Sequence, residues 1–378
     1  MRNVWRLALL LSACAEVGPE CVPADPAPVI GVAEGAFVSA DGPVVPRAIN
    51  SYPLLDHAGW DEWDDVASIL DQARALGRPV IRTGAYMIGG RNPARLRDER
   101  GALREEGLAR LDRILAMAAE RDVQLLLITA NHWGDYGGAP AVVEAVAPGE
   151  GLPVEAFYTD ARAIAHQQDY LTALASRVNL ENGRRYADDP TIFAWELVNE
   201  ARCADASRCA EGTLADWAAS MSAALRRAGV RQPIAWGGQG FFGLWGEDLR
   251  TIAARGGVDV LTVHLYPDLG GAQTLAPGAG RDRVFAAVTE GVRAIERAAA
   301  LAEGHELPLL VEEAGWRAAG ETRDEERALV LGAWARAAAE VGAGYAPWMI
   351  AEPGRPDYDG YLIRPESDPA TARVLRCE

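Results

Sequence analysis

The arrangement that most limits the possible folds is a regular alternation of short apolar segments and amphipathic helices from Val29 onward. The apolar segments have the length and composition of strands covered on both faces, as in a parallel sheet. Polar side chains end nearly every segment, which favours a closed barrel over an open, doubly wound sheet. We therefore predict a single-domain α/β fold, a (β/α)8 TIM barrel, with strands at residues 46–50, 79–83, 123–129, 192–197, 233–236, 260–264, 309–313 and 344–348 and helices at residues 61–76, 103–121, 160–178, 214–228, 281–302 and 324–341.

Composition and charge limit what the protein can bind. Hydrophobic residues make up 49% of the chain and charged residues 24%, which is enough apolar material for one large core. The formal net charge of −17 at pH 7 argues against nucleic acid and against any polyanionic ligand. A neutral polymer is compatible with this charge.

The first residues have the pattern of a targeting signal, which is excluded from the fold. Arg2 and Arg6 give a positive start, and residues 7–11 form an apolar run that is too short to span a bilayer. The sequence Leu-Ser-Ala-Cys at residues 11–14 then matches a bacterial lipobox, in which the chain is cut before a lipid-modified cysteine. We predict a signal peptide at residues 1–13, a lipidated Cys14 with a linker to residue 28, and the barrel domain at residues 29–378. Such a protein is secreted and lipid-anchored at the cell envelope, in the periplasm or on the cell surface.

Export decides how the other four cysteines are interpreted, because disulfides persist outside the cytoplasm. Cys203 and Cys209 share one loop after the fourth strand, and we predict that they form a disulfide. Cys21 and Cys377 lie near the two ends of the mature chain, which often sit close together, and we predict a second disulfide there. Four cysteines allow three connectivities, so the others stay open.

Two of the predicted strands end in carboxylates. The fourth strand is followed directly by Asn199 and Glu200, and the seventh ends in Glu312 and Glu313. The carboxyl ends of barrel strands share one face, which is where the active sites of such barrels lie. Two carboxylates that meet across a barrel are what a glycosidase requires. The alternative interpretation is that Glu200 only caps the segment that follows it.

The residues around these strand ends resemble a known family. Residues 195–200 are Trp-Glu-Leu-Val-Asn-Glu, and residues 313–315, on the later strand, are Glu-Ala-Gly. These motifs resemble the retaining glycoside hydrolases of family 5 and its clan, which have a (β/α)8 barrel. The longer string at residues 189–203 is similar to the endo-β-1,4-mannanases of that family, and shorter similarities follow in order at residues 131–138, 157–160, 238–243, 264–268 and 359–361. The resemblance covers nearly all of residues 29–363.

The resemblance implies hydrolysis of internal β-1,4-mannosidic bonds in mannan, glucomannan or galactomannan by double displacement. It implies a neutral β-linked polysaccharide or oligosaccharide as ligand, with no cofactor and no metal. Separately, we predict a monomer that meets a membrane only through its lipid anchor. A metal held by His132, Asp135, His264 and Glu313 is conceivable, although the mechanism needs none. Three alternatives stay open: a clan enzyme that cuts β-1,4-glucan, an exo-β-mannosidase, and a surface glycan-binding lipoprotein without catalysis.

The same resemblance implies a role for each matching residue. Glu200 is the expected acid/base, and Glu313 is the expected nucleophile. Asn199 is expected to hydrogen-bond the sugar's 2-hydroxyl, while Tyr266 and Arg82 keep Glu313 ionised. Arg82 and Tyr266 are also predicted to contact the substrate. Further substrate contacts are predicted from His264, Trp348, Asn131, His132, Trp133, Tyr52 and Tyr86.

The two catalytic carboxylates need different charge states. Glu200 must carry a proton while Glu313 is ionised, so we predict a raised pKa for Glu200, a lowered pKa for Glu313 and a bell-shaped pH profile. Side chains alternate along a strand, so Glu312 and Glu313 are expected to face opposite sides, with Glu312 as a salt-bridge partner. Glu196, inside the fourth strand, is assigned a structural part.

The chain departs from the mannanase pattern at three positions. The family's Arg-x-Trp after the second strand is replaced by Arg82-Thr83-Gly84, so a sugar platform is missing unless Tyr86 replaces it. Leu269 stands where a tryptophan often follows the sixth strand, and His132 replaces an asparagine. Each lost aromatic surface is expected to weaken glycan binding on the glycon side of the cleft.

Overall fold

The computed structural model describes residues 29–267, 281–317 and 323–377. Hydrogen-bonded ladders join the first five barrel strands to one another and the last three to one another. Parallel bridges from Ala235 to Val260 and from Arg47 to Tyr345 connect these two groups, so the sheet closes on itself. The predicted (β/α)8 barrel is confirmed, with its eight strands at Ala48–Asn50, Val80–Gly84, Gln124–Ile128, Ile192–Glu196, Ile234–Ala235, Leu261–Leu265, Leu309–Ala314 and Gly344–Pro347.

The helices that cover the barrel also follow the sequence pattern. All six predicted helices are present, at Trp63–Ala75, Glu105–Ala119, Ala161–Ser176, Thr213–Arg227, Arg281–Gly304 and Arg323–Glu340. Asp160 precedes the third of these helices and caps its first turn, since its carboxylate accepts from the backbone N–H of Arg162 at 2.8 Å. Shorter helices that the sequence did not predict lie at Leu54–Gly59, Gly138–Val146, Ala156–Thr159, Leu249–Arg255 and Pro369–Cys377.

A small antiparallel sheet closes the amino-terminal end of the barrel, and it was not predicted. Its strands are Gly31–Ala33, Ala36–Ser39 and Gly42–Pro43. Phe37 is fully buried and packs against Phe193, with ring centroids 6.1 Å apart. The apolar cluster around Phe37 contains residues from seven barrel strands, namely Ala48, Val80, Leu126, Phe193, Ala194, Ala235, Leu310 and Ala346. The hairpin therefore fills the end of the barrel opposite the polar strand ends.

The seam between the first and eighth strands is held by a buried arginine. Arg78 donates from Nη1 to the backbone oxygens of Ala48 and Tyr345, at 3.3 and 3.1 Å. Its guanidinium also lies 5.5 Å from the centroid of the Tyr345 ring. Since parallel bridges at this seam are few, these bonds from one cation help to keep the barrel closed.

The predicted signal peptide, lipidation site Cys14, linker and Cys21 all lie outside the described residues, so these stay predictions. The same is true of Leu269. Within the described ranges, no helix combines the length and the apolar character needed to cross a bilayer.

Candidate active site

Arg82, on the second strand, lies at the centre of a buried group of acids at the carboxyl end of the barrel. Its Nε and Nη2 donate to the two carboxylate oxygens of Glu196, at 2.7 and 2.8 Å. Nη1 contacts Glu313 Oε1 at 2.5 Å, and Nη2 contacts Asn199 Oδ1 at 2.7 Å. The side chain is fully buried. Arg82 therefore orients Glu313 and Asn199 by hydrogen bonds from the barrel interior. Because it is fully buried, it does not form the predicted sugar contact.

Glu313 is held by two donors and faces the barrel interior. Besides Arg82, the Tyr266 hydroxyl donates to its Oε2 at 2.7 Å, so both side chains predicted to keep Glu313 ionised contact it. The neighbouring Glu312 also lies inside, 3.6 Å from Arg82 and 3.4 Å from His264. The prediction that the two glutamates face opposite sides is wrong, because the strand is bulged: Val263 pairs with Val311 and His264 with Glu313, which leaves Glu312 without a partner residue.

Glu200 follows the fourth strand in an unusual backbone conformation, with φ at 54°. Such positive φ values in residues other than glycine are costly and cluster at functional sites. Glu200 Oε1 lies 2.9 Å from His264 Nδ1, and Oε2 accepts from Trp133 Nε1 at 2.7 Å. A carboxylate oxygen of Glu200 lies within 4.8 Å of one of Glu313. These acids and His264 could also surround a cation, but each carboxylate already accepts two hydrogen bonds.

The pKa of Glu200 differs from the prediction. Burial alone raises the pKa of the Glu200 carboxyl, but the hydrogen bonds from His264 and Trp133 and the charge of Arg202 outweigh it and lower that pKa. Burial alone would lower the pKa of His264, yet the surrounding Glu313, Glu200 and Glu312 raise it to about 10. The predicted rise in the pKa of Glu200 is therefore wrong for the protein without substrate, because an imidazolium lies beside the carboxylate.

This charge state predicts how stability depends on pH. The pKa of His264 is raised from 6.5 to about 10 by folding, so its stabilising contribution is complete below pH 6.5 and is lost as the pH rises through 10. That shift corresponds to at most about 5 kcal/mol. Denaturant unfolding at pH 6, 8 and 10 should therefore show a steeper loss of stability in the wild type than in His264→Gln.

A matched control is available in His305, which lies exposed on the surface. His305→Gln should follow the wild-type dependence on pH, since it removes an imidazole without touching the buried acids. Equal slopes for the wild type and His264→Gln would show that the imidazole of His264 is neutral in the folded protein.

Asn199 is oriented by groups on two other strands. Its Oδ1 accepts from Arg82, and its Nδ2 donates to Asn131 Oδ1 at 3.0 Å. The Asn131 Nδ2 in turn donates to the Tyr86 hydroxyl at 3.1 Å. An amide nitrogen has two hydrogens, so one N–H of Asn199 is left for a ligand in the cleft. Tyr86 is fully buried, which makes it a support for Asn131.

A cleft of about 440 Å³ lies above Glu313 and Asn199. The rings of Tyr52 and Trp348 pack with centroids 5.2 Å apart and present aromatic faces, which suit the apolar faces of a sugar. The predicted residues that line the cleft are Tyr52, Asn131, Trp133, Asn199, Glu313 and Trp348, and those that were not predicted are Pro53, Asp135, Tyr136, Met349, Arg355 and Tyr358.

His132, a predicted substrate contact, is directed elsewhere. Its Nδ1 lies 3.1 Å from the Tyr158 hydroxyl, and the two rings stack. Burial lowers the pKa of His132 to about 4, so the imidazole is neutral. The strand alternation that aims Asn131 at the cleft turns the next residue away from it.

Comparison with known proteins agrees with this geometry. Residues 70–331 match the family model described as GH family 5 beta-mannosidase-like. The chain belongs to glycoside hydrolase family 5. Mannan endo-1,4-beta-mannosidase 2 of Oryza sativa subsp. japonica is 30% identical to this family 5 hydrolase over 361 residues, which cover 86% of this chain and 78% of the relative. Mannan endo-1,4-beta-mannosidase 5 of Arabidopsis thaliana is 32% identical over 252 residues, 61% of this chain and 58% of the relative.

Solved structures show the same fold. An endo-beta-1,4-mannanase from Thermotoga petrophila superposes with a TM-score of 0.74 at 26% identity, covering 88% of this family 5 hydrolase and 75% of that chain. An endo-1,4-beta-mannanase from Rhizomucor miehei gives a TM-score of 0.79 at 24% identity, covering 92% of this chain and 98% of that one.

The family 5 hydrolase also carries a cationic stack beside Glu200 that the sequence analysis missed. The Arg202 guanidinium lies over the rings of Trp133 and Trp245, 4.6 and 3.5 Å from their centroids. Gln239 Oε1 accepts from Arg202 Nη2 at 2.8 Å and fixes its orientation. Arg202 is part of the motif string at residues 189–203, but no local pattern links it to Trp245.

A disulfide holds the loop next to this stack in the family 5 hydrolase. Cys203 and Cys209 are bonded, with Cα atoms 5.7 Å apart, which confirms the first predicted pair. The backbone N–H of Cys203 donates to the oxygen of Trp245 at 2.8 Å, so the closed loop is docked on the segment that carries that ring. Cys377 is disulfide-bonded, and its predicted partner, Cys21, lies outside the described residues.

Proposed function

We propose that this chain is a retaining, endo-acting β-1,4-mannanase in which Glu313 is the nucleophile and Glu200 the acid/base. The observation that carries the proposal is the approach of a carboxylate oxygen of Glu200 to within 4.8 Å of one of Glu313, which lines the cleft. Retaining glycosidases have carboxyl groups about 5–5.5 Å apart, whereas inverting enzymes need about 6.5–9.5 Å to admit a water molecule. The related family 5 proteins named above are mannan endo-1,4-beta-mannosidases, which supports mannan as the substrate.

In the first step, Glu313 attacks the anomeric carbon as the bond to the glycosidic oxygen breaks, and a glycosyl ester forms. Arg82 and Tyr266 each donate to one oxygen of Glu313, which fixes the orientation of the carboxylate. The free N–H of Asn199 binds the 2-hydroxyl of the same sugar. Such a bond strengthens as the oxocarbenium-like transition state develops.

The departing oxygen needs a proton, which Glu200 delivers. Two groups donate to Glu200 in the protein without substrate, Trp133 Nε1 at 2.7 Å from Oε2 and His264 Nδ1 at 2.9 Å from Oε1. The indole keeps its hydrogen, so the imidazolium of His264 is the proton source. Transfer of its proton to Oε1 leaves a neutral imidazole and a neutral acid, and the acid gives the proton to the glycosidic oxygen. In the second step Glu200 takes a proton from the water that cleaves the ester, and this proton returns to His264.

The first experiment is hydrolysis of mannohexaose and cellohexaose by the full protein, with Glu313→Gln as control. We expect mannohexaose to be cut to a mixture of short products at a rate at least tenfold above cellohexaose, since the relatives are mannan enzymes. Product length is read by chromatography at early times, before secondary cleavage.

Each other outcome replaces part of the proposal. Release of mannose alone would make the protein an exo-β-mannosidase. Preferential cleavage of cellohexaose would leave the roles of both glutamates unchanged and would overturn the assignment of mannan as the substrate. No cleavage by the folded protein, together with retained binding of either oligosaccharide, would make it a glycan-binding protein.

A further inference from the structure

The family's sugar platform after the second strand is missing at Gly84, and the structure shows what occupies that position. A Cβ atom added to Gly84 would lie 3.1 Å from the ring of Tyr86. Tyr86 itself is buried and bonded to Asn131, so it offers no face to the cleft. The second strand therefore contributes no stacking surface.

A different wall of the cleft carries exposed sugar-binding groups. Arg355 and Tyr358 come from the loop after the eighth strand, and Asp135 and Tyr136 face them from the loop after the third. Tyr358 is 71% exposed, so its ring is accessible to a ligand in the cleft. Tyrosine rings and a guanidinium are the kinds of group that hold a pyranose by stacking and by hydrogen bonds to hydroxyls.

The position of this wall relative to the two carboxylates fixes which part of the substrate it meets. The cleft includes Glu313, which attacks the anomeric carbon, but its lining does not include Glu200. The leaving group departs on the side of Glu200, where Arg202 lies. Trp133 stands at the boundary, because it bonds Glu200, stacks on Arg202 and also lines the cleft. Sugars that precede the attacked residue therefore extend away from Glu200, toward Arg355 and Tyr358.

Arg355 is held in place from behind by a chain of ionic contacts. Its Nη1 lies 3.3 and 3.4 Å from the two oxygens of Glu352. Glu352 Oε2 lies 2.8 Å from His57 Nε2, while Glu62 Oε2 lies 2.7 Å from Nδ1 of the same ring. His57 is buried and has a carboxylate on each nitrogen, so both nitrogens donate and the ring is an imidazolium. The hydrogen bonds that Arg355 forms with described residues through its side chain use Nη1 alone, which leaves Nε and Nη2 for a ligand.

We propose that the loop at residues 351–358 forms a glycon-side sugar subsite, in which Arg355 binds hydroxyl groups and determines preference for longer chains, and that His57 positions Arg355 through Glu352. The inference rests on the proposed function. In it, the loop at residues 351–358 supplies the sugar contact that the family obtains from the platform missing at Gly84. The sugar that this loop binds lies two or more units from the bond that is cut.

Aryl β-mannosides with one, two and three mannose units test the inference, because the aryl group leaves and each added sugar extends the glycon. In the wild type, kcat/KM should rise with each sugar. Arg355→Ala should reduce that gain about tenfold, through KM and with kcat little changed, because the contact that it removes is made with the longer chains. His57→Gln should reduce the gain about threefold, also through KM.

A double-mutant cycle separates positioning from a general loss of structure. If His57 acts through Arg355, His57→Gln should have no further effect on the gain in the Arg355→Ala background. Arg355→Lys should retain part of the gain, and the control Arg250→Ala, which removes an exposed arginine bonded to Asp248, should keep the wild-type pattern. Melting temperatures identify any variant that fails to fold.

The failures of the two proposals are distinguishable. If the wild type hydrolyses none of the aryl mannosides, the proposed function fails. If it hydrolyses all three and Arg355→Ala keeps the full gain with glycon length, the subsite is overturned while the mannanase stands. Additive effects of His57→Gln and Arg355→Ala would overturn the positioning role alone.

Discussion

Glu313→Gln is expected to lower mannohexaose hydrolysis by about 10⁴-fold or more, because the amide cannot form the covalent ester and loss of a nucleophile has effects of that order. The substitution keeps the volume of the side chain, so the fold should persist. An activated 2-deoxy-2-fluoro mannoside should form a stable adduct with the wild type, since the fluorine slows the second step. Mass spectrometry should place that adduct on Glu313 and find none in the variant.

The adjacent Glu312 offers a matched control, because it is an equally buried glutamate in the same strand. Glu312→Gln should still form the adduct, whatever its effect on rate, since its carboxylate contacts Arg82 and His264 and not the cleft. An adduct that persists in Glu313→Gln and disappears in Glu312→Gln would transfer the nucleophile's role to Glu312. Because both glutamates face the barrel interior, either could be the nucleophile, and the position of the adduct decides between them.

Arg82→Gln is expected to destabilise the protein by about 3–5 kcal/mol, because it leaves buried carboxylates without their cation. Catalysis should fall by about 10²–10³-fold as Glu313 and Asn199 lose a donor. Burial raises the pKa of Glu196 to about 8 even beside Arg82, so removal of the cation should favour its neutral form further. Since the folded variant then binds more protons, its loss of stability should be smaller at pH 5 than at pH 8.

Arg82→Lys provides the comparison for that prediction. A compact ammonium cannot reach Glu196, Glu313 and Asn199 together, so its activity should stay low, but its charge should recover much of the stability. Denaturant unfolding at both pH values, with kinetics on mannohexaose, measures the two effects separately. Equal stability of Arg82→Gln and the wild type at pH 8 would mean that the buried acids are already protonated without the arginine.

The strand positions and the facing glutamates could be predicted because both depend on local order along the chain. Apolar runs that end in Asn199 and Glu200, or in Glu313, identify strand ends, and a barrel brings strand ends together. The inward turn of Glu312 could not be predicted, since a bulge depends on the register with the sixth strand. The hairpin around Phe37 was missed because its strands are too short for a clear alternation.

Charge states were the least predictable property of the site. The pKa of Glu200 depends on His264 and Trp133, which are 64 and 67 residues away in the sequence. Each of these residues was assigned to the site, but their arrangement around one carboxylate decides the sign of the shift. The same reasoning explains His57, whose partners Glu62 and Glu352 come from opposite ends of the chain.

The hairpin that fills the amino-terminal end of the barrel has a consequence for how the protein meets a solid or tethered substrate. Ile30 packs in the same cluster as Phe37, so the described chain begins at the face opposite the cleft. Any attachment made through the residues before Val29 therefore joins the folded domain at the amino-terminal end of the barrel. A lipid anchor at Cys14, as predicted from the sequence, would then join the folded domain at the face opposite the cleft, which leaves the cleft open to a long polymer.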